Sequence, residues 1–329
     1  MSKRLSWLDC CIGATILLVV LGHVADGYLR AGAFPEHRTA LLAIYNLIYA
    51  FHMPLFYCLS GYVFYLAYCQ KRAEKQKNFW SQIVNLTWIY IVFSVVLWGF
   101  KMLFADSVNT QFGVMDFLMI PIKPLGEFWY VYVLIFIYLI AYVLEGKCND
   151  KVVFIASYVI SSIVKFFSFE ISFPLKNILY YFFFFYLGVC MAKRKNAIGK
   201  TVEKIVFILS VLVAAGSWSI CLLEKLSIHK IPVVCTFVGT SFCVLAVLAF
   251  SHYNENRLFS FFGKYSLEIY TMHTFLTAAN RSILIRGVRN FALNVSLNFI
   301  ISTLVPVMIA VILKKLRLHK WIFKPIKLK

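Results

Sequence analysis

Apolar residues occur along this chain in long runs, separated by short polar and basic segments. Each run has roughly 17–25 residues, enough for a helix to cross a bilayer core of about 30 Å. The pattern predicts about ten spanning helices, at approximately 8–29, 40–68, 79–104, 128–144, 152–168, 174–192, 203–223, 231–251, 262–282 and 292–313. A short interfacial segment is predicted at Phe112–Ile120, inside the longest polar interruption. We expect an all-α, multi-pass membrane protein with a single domain over residues 1–329.

Composition and charge support a membrane protein. Hydrophobic residues make up 61% of the 329 residues, whereas soluble domains have roughly 45–50%. The net charge of +19 resides in short segments between the apolar runs and in the C-terminal tail. This distribution predicts that both termini lie in the cytoplasm, against anionic lipid, and it argues against a nucleic-acid partner.

The first apolar run contains His23 with Asp26 three residues later. An ionisable group at membrane depth costs roughly 2.5–3.5 kcal/mol on insertion scales and usually marks a functional cavity. The spacing puts both side chains on one helix face, where a carboxylate can orient an imidazole and raise its basicity. We therefore predict His23 as a general base with Asp26 as its partner. A His–Asp pair that only packs helices together is the alternative.

Two further runs carry polar residues. His52 and Ser60-Gly61 lie in the second run, and the small pair permits close helix packing. Ser266, Tyr270 and His273 form one stripe along the ninth run, which predicts that this face meets a cavity or a partner helix. We expect the three histidines to line one cavity, with His52, Ser60 and Ser266 binding substrate. For His52, a satisfied hydrogen bond between helices is an equal alternative.

The absence of several well-known motifs limits the kinds of reaction that the protein can catalyse. Three imidazoles can hold zinc, but the chain has no H-E-x-x-H and no closely spaced ligand pair, so we expect no metal. GxSxG, P-loop and GxGxxG motifs are also absent, which excludes soluble-type hydrolases and nucleotide-binding folds. A proton-coupled exporter of a glycan intermediate or solute, with the histidines relaying protons, remains an alternative at this point.

The order of several motifs resembles the integral-membrane acyltransferase 3 family. The segments that carry the resemblance are Trp7-Leu8-Asp9 with Gly13, Leu21-Gly22-His23, Phe51–Phe56 with Leu59–Tyr62, Glu127–Tyr130, Tyr181–Gly188 and Gly263–His273. The Phe51–Tyr62 segment looks most like the branch of fucose 4-O-acetylase-like proteins. Together the segments extend over nearly the whole chain.

The resemblance implies a ten-helix bundle in the bacterial cytoplasmic (inner) membrane. Such proteins move an acyl group, usually acetyl, from cytoplasmic acyl-CoA to a hydroxyl of a cell-surface glycan or its lipid-linked precursor. Acetyl-CoA would be a donor substrate, with no permanently bound cofactor, and membrane lipids and the glycan would be the partners. The family's key histidine corresponds to His23. In this reaction we expect His273 and Tyr270 to donate to the oxyanion and Trp129 to bind substrate.

The sequence departs from the family pattern in its first run. Eleven residues before the key histidine, where the family usually has Arg or Lys, the chain has Ile12. Isoleucine cannot hold a phosphate or a thioester oxygen. Either another basic residue binds acyl-CoA, for which Arg4, Arg72 and Lys264 are candidates by predicted sidedness, or activity is altered and the protein is a catalytically silent family member.

Overall fold

The computed structural model describes residues 5–69, 72–103, 113–166, 171–194, 199–223, 232–252 and 256–325, without the side chains of 72–75, 217–223 and 232–235. The described residues contain helices and no β-strand. The α-helices are α1 Ser6–Arg30, α2 Arg38–Phe64, α3 Arg72–Leu103, α4 Val114–Leu118, α5 Trp129–Leu144, α6 Asp150–Phe166, α7 Leu175–Arg194, α8 Lys200–Leu223, α9 Pro232–His252, α10 Arg257–Lys264, α11 Ser266–Gly287, α12 Phe291–Lys315 and α13 His319–Phe323.

The long helices fall at the positions of the predicted apolar runs. Within the described residues, six helical segments are long and apolar enough to cross a membrane: Ser6–Arg30, Pro35–Cys69, Gln76–Leu103, Gly126–Leu144, Leu175–Arg194 and Phe291–Lys315. A seventh is added if Thr236–His252 and Arg257–Lys264, which meet at 120°, form one broken span. The prediction of an all-α membrane protein is confirmed. The number of ten spans and the cytoplasmic termini stay predictions.

Helix α1 lies at the centre and packs against α2, α9, α10, α11 and α12. Its contact with α10 is a contact of backbones. The carbonyl oxygen of Phe259 lies 1.9 Å from the position that a Cβ on Gly13 would take, and the carbonyl oxygen of Asp9 lies 1.9 Å from the equivalent position on Gly263. Only glycine at both positions allows the two helices to approach this closely.

Helices α2 and α7 cross in the same manner. A Cβ on Gly61 would lie 1.9 Å from the carbonyl oxygen of Phe185, and a Cβ on Gly188 would lie 1.8 Å from that of Cys58. The close packing predicted for Ser60-Gly61 is confirmed. Interlocked small residues are a common way for membrane helices to associate, because they bring van der Waals surfaces together without a hydrophobic driving force.

Helices α1 and α11 run in the same direction. The rings of His23 and His273 are 5.0 Å apart, and further along both helices Gly27 contacts Arg281. Buried amides then attach α12 to both helices, since the Asn298 side chain donates to the Tyr28 hydroxyl at 3.3 Å and to the Thr277 carbonyl at 3.2 Å. This parallel arrangement places polar groups of two helices at matching heights.

Charged residues near the helix ends connect neighbouring elements. Lys193 at the end of α7 pairs with Glu145 and Asp150, each at 2.7 Å, and so holds the connection between α5 and α6. His319 of α13 hydrogen-bonds Glu268 near the start of α11, also at 2.7 Å. These contacts fix the ends of the helices that surround the central cavity.

Candidate active site in a cavity with three histidines

A cavity of about 730 Å³ lies between α1, α2, α3, α5, α7 and α11. Along α1 its lining extends from Ile12 to Arg30. These residues are 18 positions apart, which corresponds to about 27 Å at the helical rise of roughly 1.5 Å per residue, close to the roughly 30 Å of a bilayer core. We call the two ends of the cavity the Ile12 end and the Arg30 end.

The eight residues that sequence reasoning assigned to catalysis or substrate binding all border this cavity. They are His23, Asp26, His52, Ser60, Trp129, Ser266, Tyr270 and His273. They come from four helices, α1, α2, α5 and α11, and their meeting in one cavity agrees with the expectation that the three histidines share a site. Their individual roles stay predictions.

His23 lies near the middle of the cavity, and its side chain is partly exposed there. Its Nδ1 is 3.4 Å from the hydroxyl of Tyr49, which α2 supplies. If the ring nitrogen donates to the tyrosine oxygen, Nε2 keeps its lone pair and is the atom that can accept a proton from substrate. Exposure and position make His23 the histidine best placed to touch a ligand.

His52 and His273 are held by backbone carbonyls. Nδ1 of His52 is 2.8 Å from the Ile48 carbonyl oxygen, and Nδ1 of His273 is 3.0 Å from that of Ile269 and 2.9 Å from that of Tyr270. A nitrogen facing a carbonyl must carry the proton, so Nε2 of each neutral ring is an acceptor. Nε2 of His273 is buried and has no hydrogen-bond partner among the described residues. A neutral His273 therefore accepts at Nε2, so the predicted donation to an oxyanion would require the protonated ring and stays a prediction.

The predicted pairing of Asp26 with His23 is wrong. Asp26 accepts a hydrogen bond from Nε of Arg30 at 2.9 Å and forms an ion pair with it one helical turn further along α1. Residues four apart on a helix are neighbours, and a guanidinium is a stronger partner for a carboxylate than a neutral imidazole is. The Tyr49 hydroxyl, not Asp26, is the group at Nδ1 of His23.

Tyr270 of α11 is hydrogen-bonded to Glu127. Its hydroxyl donates to the backbone carbonyl of Glu127 at 2.8 Å, so its proton is already used. One turn along α11, the hydroxyl of Thr274 donates to the Glu127 carboxylate. Tyr270 and Thr274 thus both hold Glu127, which precedes α5, and donation from Tyr270 to an oxyanion stays a prediction that requires this hydrogen bond to break.

The other predicted binding residues, Ser60, Trp129 and Ser266, also border the cavity. Ser60 shares a 2.9 Å hydrogen bond with the hydroxyl of Tyr130, and the ring of Trp129 lies 5.5 Å from that of Tyr181. Two hydroxyls joined by one hydrogen bond use one of their two protons, so the pair retains a proton for a ligand. Ser266 borders the cavity from the first residue of α11.

None of the predicted acyl-CoA cations is seen to line the cavity. Arg4 lies outside the described residues, and Arg72 begins α3 with a side chain that is not described. Lys264 is exposed at the end of α10 and does not border the cavity. Ile12 does border it, and no charged side chain joins it at that end among the described residues.

Sequence reasoning missed several residues of the cavity. Arg30, Lys101, Glu127 and Arg281 all line it. Arg30 was detectable, because a seven-residue offset returns to the helix face of His23. Lys101, Glu127 and Arg281 come from three other segments, and only the packing of the helices brings them to the cavity.

The cavity contains no obvious metal site. Among the described residues, no group of three or more His, Cys, Asp or Glu side chains is arranged to hold a metal ion. His52 and His273 each have one nitrogen committed to a carbonyl, which is compatible with neutral acid–base groups.

A family model described as an acyltransferase domain matches residues 5–315, nearly the whole chain. No curated protein and no solved structure matches the chain. The matched region contains every residue described above as lining the cavity. The chain therefore belongs to the acyltransferase 3 family of membrane acyltransferases.

Proposed function

We propose that this protein is an O-acyltransferase that moves an acyl group, usually acetyl in this family, from cytoplasmic acyl-CoA to a hydroxyl of a cell-surface glycan or its lipid-linked precursor. The observation that carries the proposal is the position of His23. Its partly exposed side chain lies near the middle of a cavity whose lining extends over about 27 Å of α1. A donor from one end and an acceptor from the other can meet at such a point.

In the proposed reaction, Nε2 of His23 removes the proton of the acceptor hydroxyl as its oxygen attacks the thioester carbonyl. The carbon–sulfur bond breaks, and the departing CoA sulfur takes the proton from His23. One ester and one free thiol are formed, and the histidine returns to its neutral state. General-base catalysis of this kind typically contributes 10²–10⁴-fold to the rate. Tyr49, at Nδ1 of His23, serves as a positioning residue.

The donor is proposed to enter from the Ile12 end. Ile12 precedes His23 by eleven residues, or about 16 Å of helix, and the described lining of this part of the cavity is uncharged. Such a passage suits the thin, uncharged arm that joins the thioester of acyl-CoA to its nucleotide. The Ser60–Tyr130 hydroxyl pair is available to this arm. The charged nucleotide would stay outside the cavity, where Arg4, Arg72 and Lys264 are the proposed cations.

The test compares glycans by mass spectrometry from cells with wild-type protein, with His23→Ala and without the protein. We expect a mass difference of one acyl group that needs both the protein and His23. His252→Ala is the matched control, because His252 is an exposed histidine on Glu203, away from the cavity. Acylation at the wild-type rate by His23→Ala contradicts the proposal. Transport of a glycan intermediate without release of CoA supports an exporter instead.

A further inference from the structure

Glu127 is a cavity residue to which the proposed reaction gives no role. It lies in the short 3₁₀ turn Gly126–Phe128 before α5, and its partly exposed side chain lines the cavity. Two hydroxyls of α11 hold it. That of Tyr270 donates to its backbone carbonyl at 2.8 Å, and that of Thr274 donates to its carboxylate. One helix thus fixes both the backbone and the side chain of Glu127.

These two hydroxyls hold Glu127 beside the histidines. The residues that supply them come three positions before and one position after His273 on α11. The ring of His273 lies 5.0 Å from that of His23, so the carboxylate and the general base lie at similar heights in the cavity. Glu127 also acts electrostatically on Tyr49, whose hydroxyl is 3.4 Å from Nδ1 of His23. A substrate that presents a hydroxyl to His23 therefore has its remaining groups near Glu127.

The carboxylate of Glu127 retains capacity to accept hydrogen bonds. An ionised carboxylate has roughly four acceptor positions, and Thr274 and the backbone amide of Glu127 itself occupy part of this capacity. Lys101 interacts with it electrostatically. Asp26, the other carboxylate in the described lining of the cavity, is instead bound by Arg30 at 2.9 Å. Of the two carboxylates, Glu127 is the better placed to accept a hydrogen bond from a substrate.

A sugar acceptor carries several hydroxyls, and each of them can donate a hydrogen bond. Acylation at one hydroxyl requires that the sugar ring be held in one orientation at the base. We propose that Glu127 is a specificity-determining residue, which accepts a hydrogen bond from a second hydroxyl of the acceptor sugar while His23 removes the proton of the hydroxyl that is acylated. The inference rests on the proposed function, and it makes the acceptor a sugar with at least two free hydroxyls that enters from the Arg30 end.

The first experiment measures sugar binding without catalysis. Full-length protein in detergent is titrated with the methyl glycosides of glucose, galactose, mannose and fucose, and binding is followed as an increase in the unfolding temperature. We expect at least one sugar to bind wild-type protein, and Glu127→Gln to weaken its binding about 10- to 150-fold, the equivalent of a hydrogen bond to a charged group. Glu36→Gln, an equal charge loss at an exposed glutamate away from the cavity, should leave binding unchanged.

Deoxy analogues test the same contact from the side of the substrate. Each hydroxyl of the bound sugar is removed in turn, and the binding of each analogue to wild-type protein and to Glu127→Gln is compared. One analogue should bind both proteins equally weakly, because the hydrogen bond is absent in both. Glu127→Asp, which keeps the charge but withdraws the carboxylate by one methylene, allows the same comparison if Glu127→Gln does not fold. The proposal is overturned if wild-type protein binds none of the sugars, or if the variant weakens every analogue by the same factor.

Kinetics then separate the acceptor from the donor. The arm of acyl-CoA carries a hydroxyl and amide N–H groups, and is another source of the same chemistry. A higher KM for the glycan acceptor in Glu127→Gln, with an unchanged KM for acetyl-CoA, supports the proposal. A higher KM for acetyl-CoA alone would overturn it and assign Glu127 to the donor.

The failure of this inference is distinguishable from the failure of the proposed function. Sugar binding that depends on Glu127, in a protein that never acylates glycan, would refute the proposed function and leave the sugar site intact. Acylation that requires His23 and is unchanged in Glu127→Gln would overturn the inference alone.

Discussion

The close crossing of α2 and α7 requires a residue without a side chain at position 188, and this requirement can be tested. Changing Gly188→Ala adds a single methyl group, 1.8 Å from the carbonyl oxygen of Cys58 and 2.9 Å from the backbone nitrogen of Tyr62. Both neighbours are backbone atoms of α2. They cannot rotate away as a flexible side chain can, so the helices themselves must separate.

The size of the separation follows from the geometry. Ordinary van der Waals contact of a Cβ begins near 3.4 Å, so the helices must move apart by about 3.4 − 1.8 = 1.6 Å at this point. Overpacking of this kind costs about 1–3 kcal/mol and occasionally more. We expect the upper part of that range. Because α2 also carries Tyr49 and His52, activity should fall as well, since a misplacement of about 1 Å can cost roughly 100-fold in rate.

The assay heats detergent-purified protein and measures the fraction that remains monodisperse, with acyl transfer measured in membranes. Gly99→Ala is the matched control, because a Cβ on Gly99, also inside a long helix, meets nothing within 4 Å. It should be neutral or stabilise by up to about 1 kcal/mol. Gly61→Ala with Gly188→Ala should cost less than the sum of the two single changes, because one separation relieves both contacts. Wild-type unfolding and wild-type activity of Gly188→Ala would refute the reasoning.

Three other substitutions test the cavity and its support. Tyr49→Phe removes the hydroxyl at Nδ1 of His23. We expect it to lower kcat by about two- to twelvefold, the equivalent of one hydrogen bond, with thermal unfolding unchanged; an unchanged kcat counts against a positioning role. Thr274→Val removes the donor to the Glu127 carboxylate and should cost about 1.5–3 kcal/mol in unfolding. Asn298→Leu leaves the partners of a buried amide unsatisfied and should cost about 1–3 kcal/mol, whereas an unfolding temperature equal to wild type would show that these hydrogen bonds contribute nothing.

The hydrophobic pattern was sufficient to predict the long helices and the meeting of the three histidines in one cavity. Apolar runs long enough to cross a bilayer give helix positions almost directly, because nothing in hydrocarbon competes with the internal hydrogen bonds of a helix. The placement of His23, His52 and His273 in one cavity also follows, since polar side chains in such helices avoid lipid. Gly61, next to Ser60, indicated a close helix crossing from the sequence alone. The sequence did not show that Gly188 lies on the other helix of this crossing.

The pairings inside the cavity could not be predicted in the same way. Asp26 has His23 three residues before it and Arg30 four residues after it, and both offsets place a neighbour on the same helix face. Which one binds the carboxylate depends on charge, and on the Tyr49 hydroxyl that α2 brings to His23. The position of Glu127 in the cavity could not be predicted either. Glu127 precedes α5 in a short 3₁₀ turn and is held by Tyr270 of α11, which is 143 residues away in the sequence.

These pairings bear on how the proposed reaction handles its proton. The groups nearest to His23, Tyr49 and His273, are uncharged when His273 is neutral, and Asp26 is occupied by Arg30. A protonated His23 would therefore be a cation without a carboxylate bonded to it, which is costly at membrane depth. The proton must leave for the CoA sulfur within the same turnover.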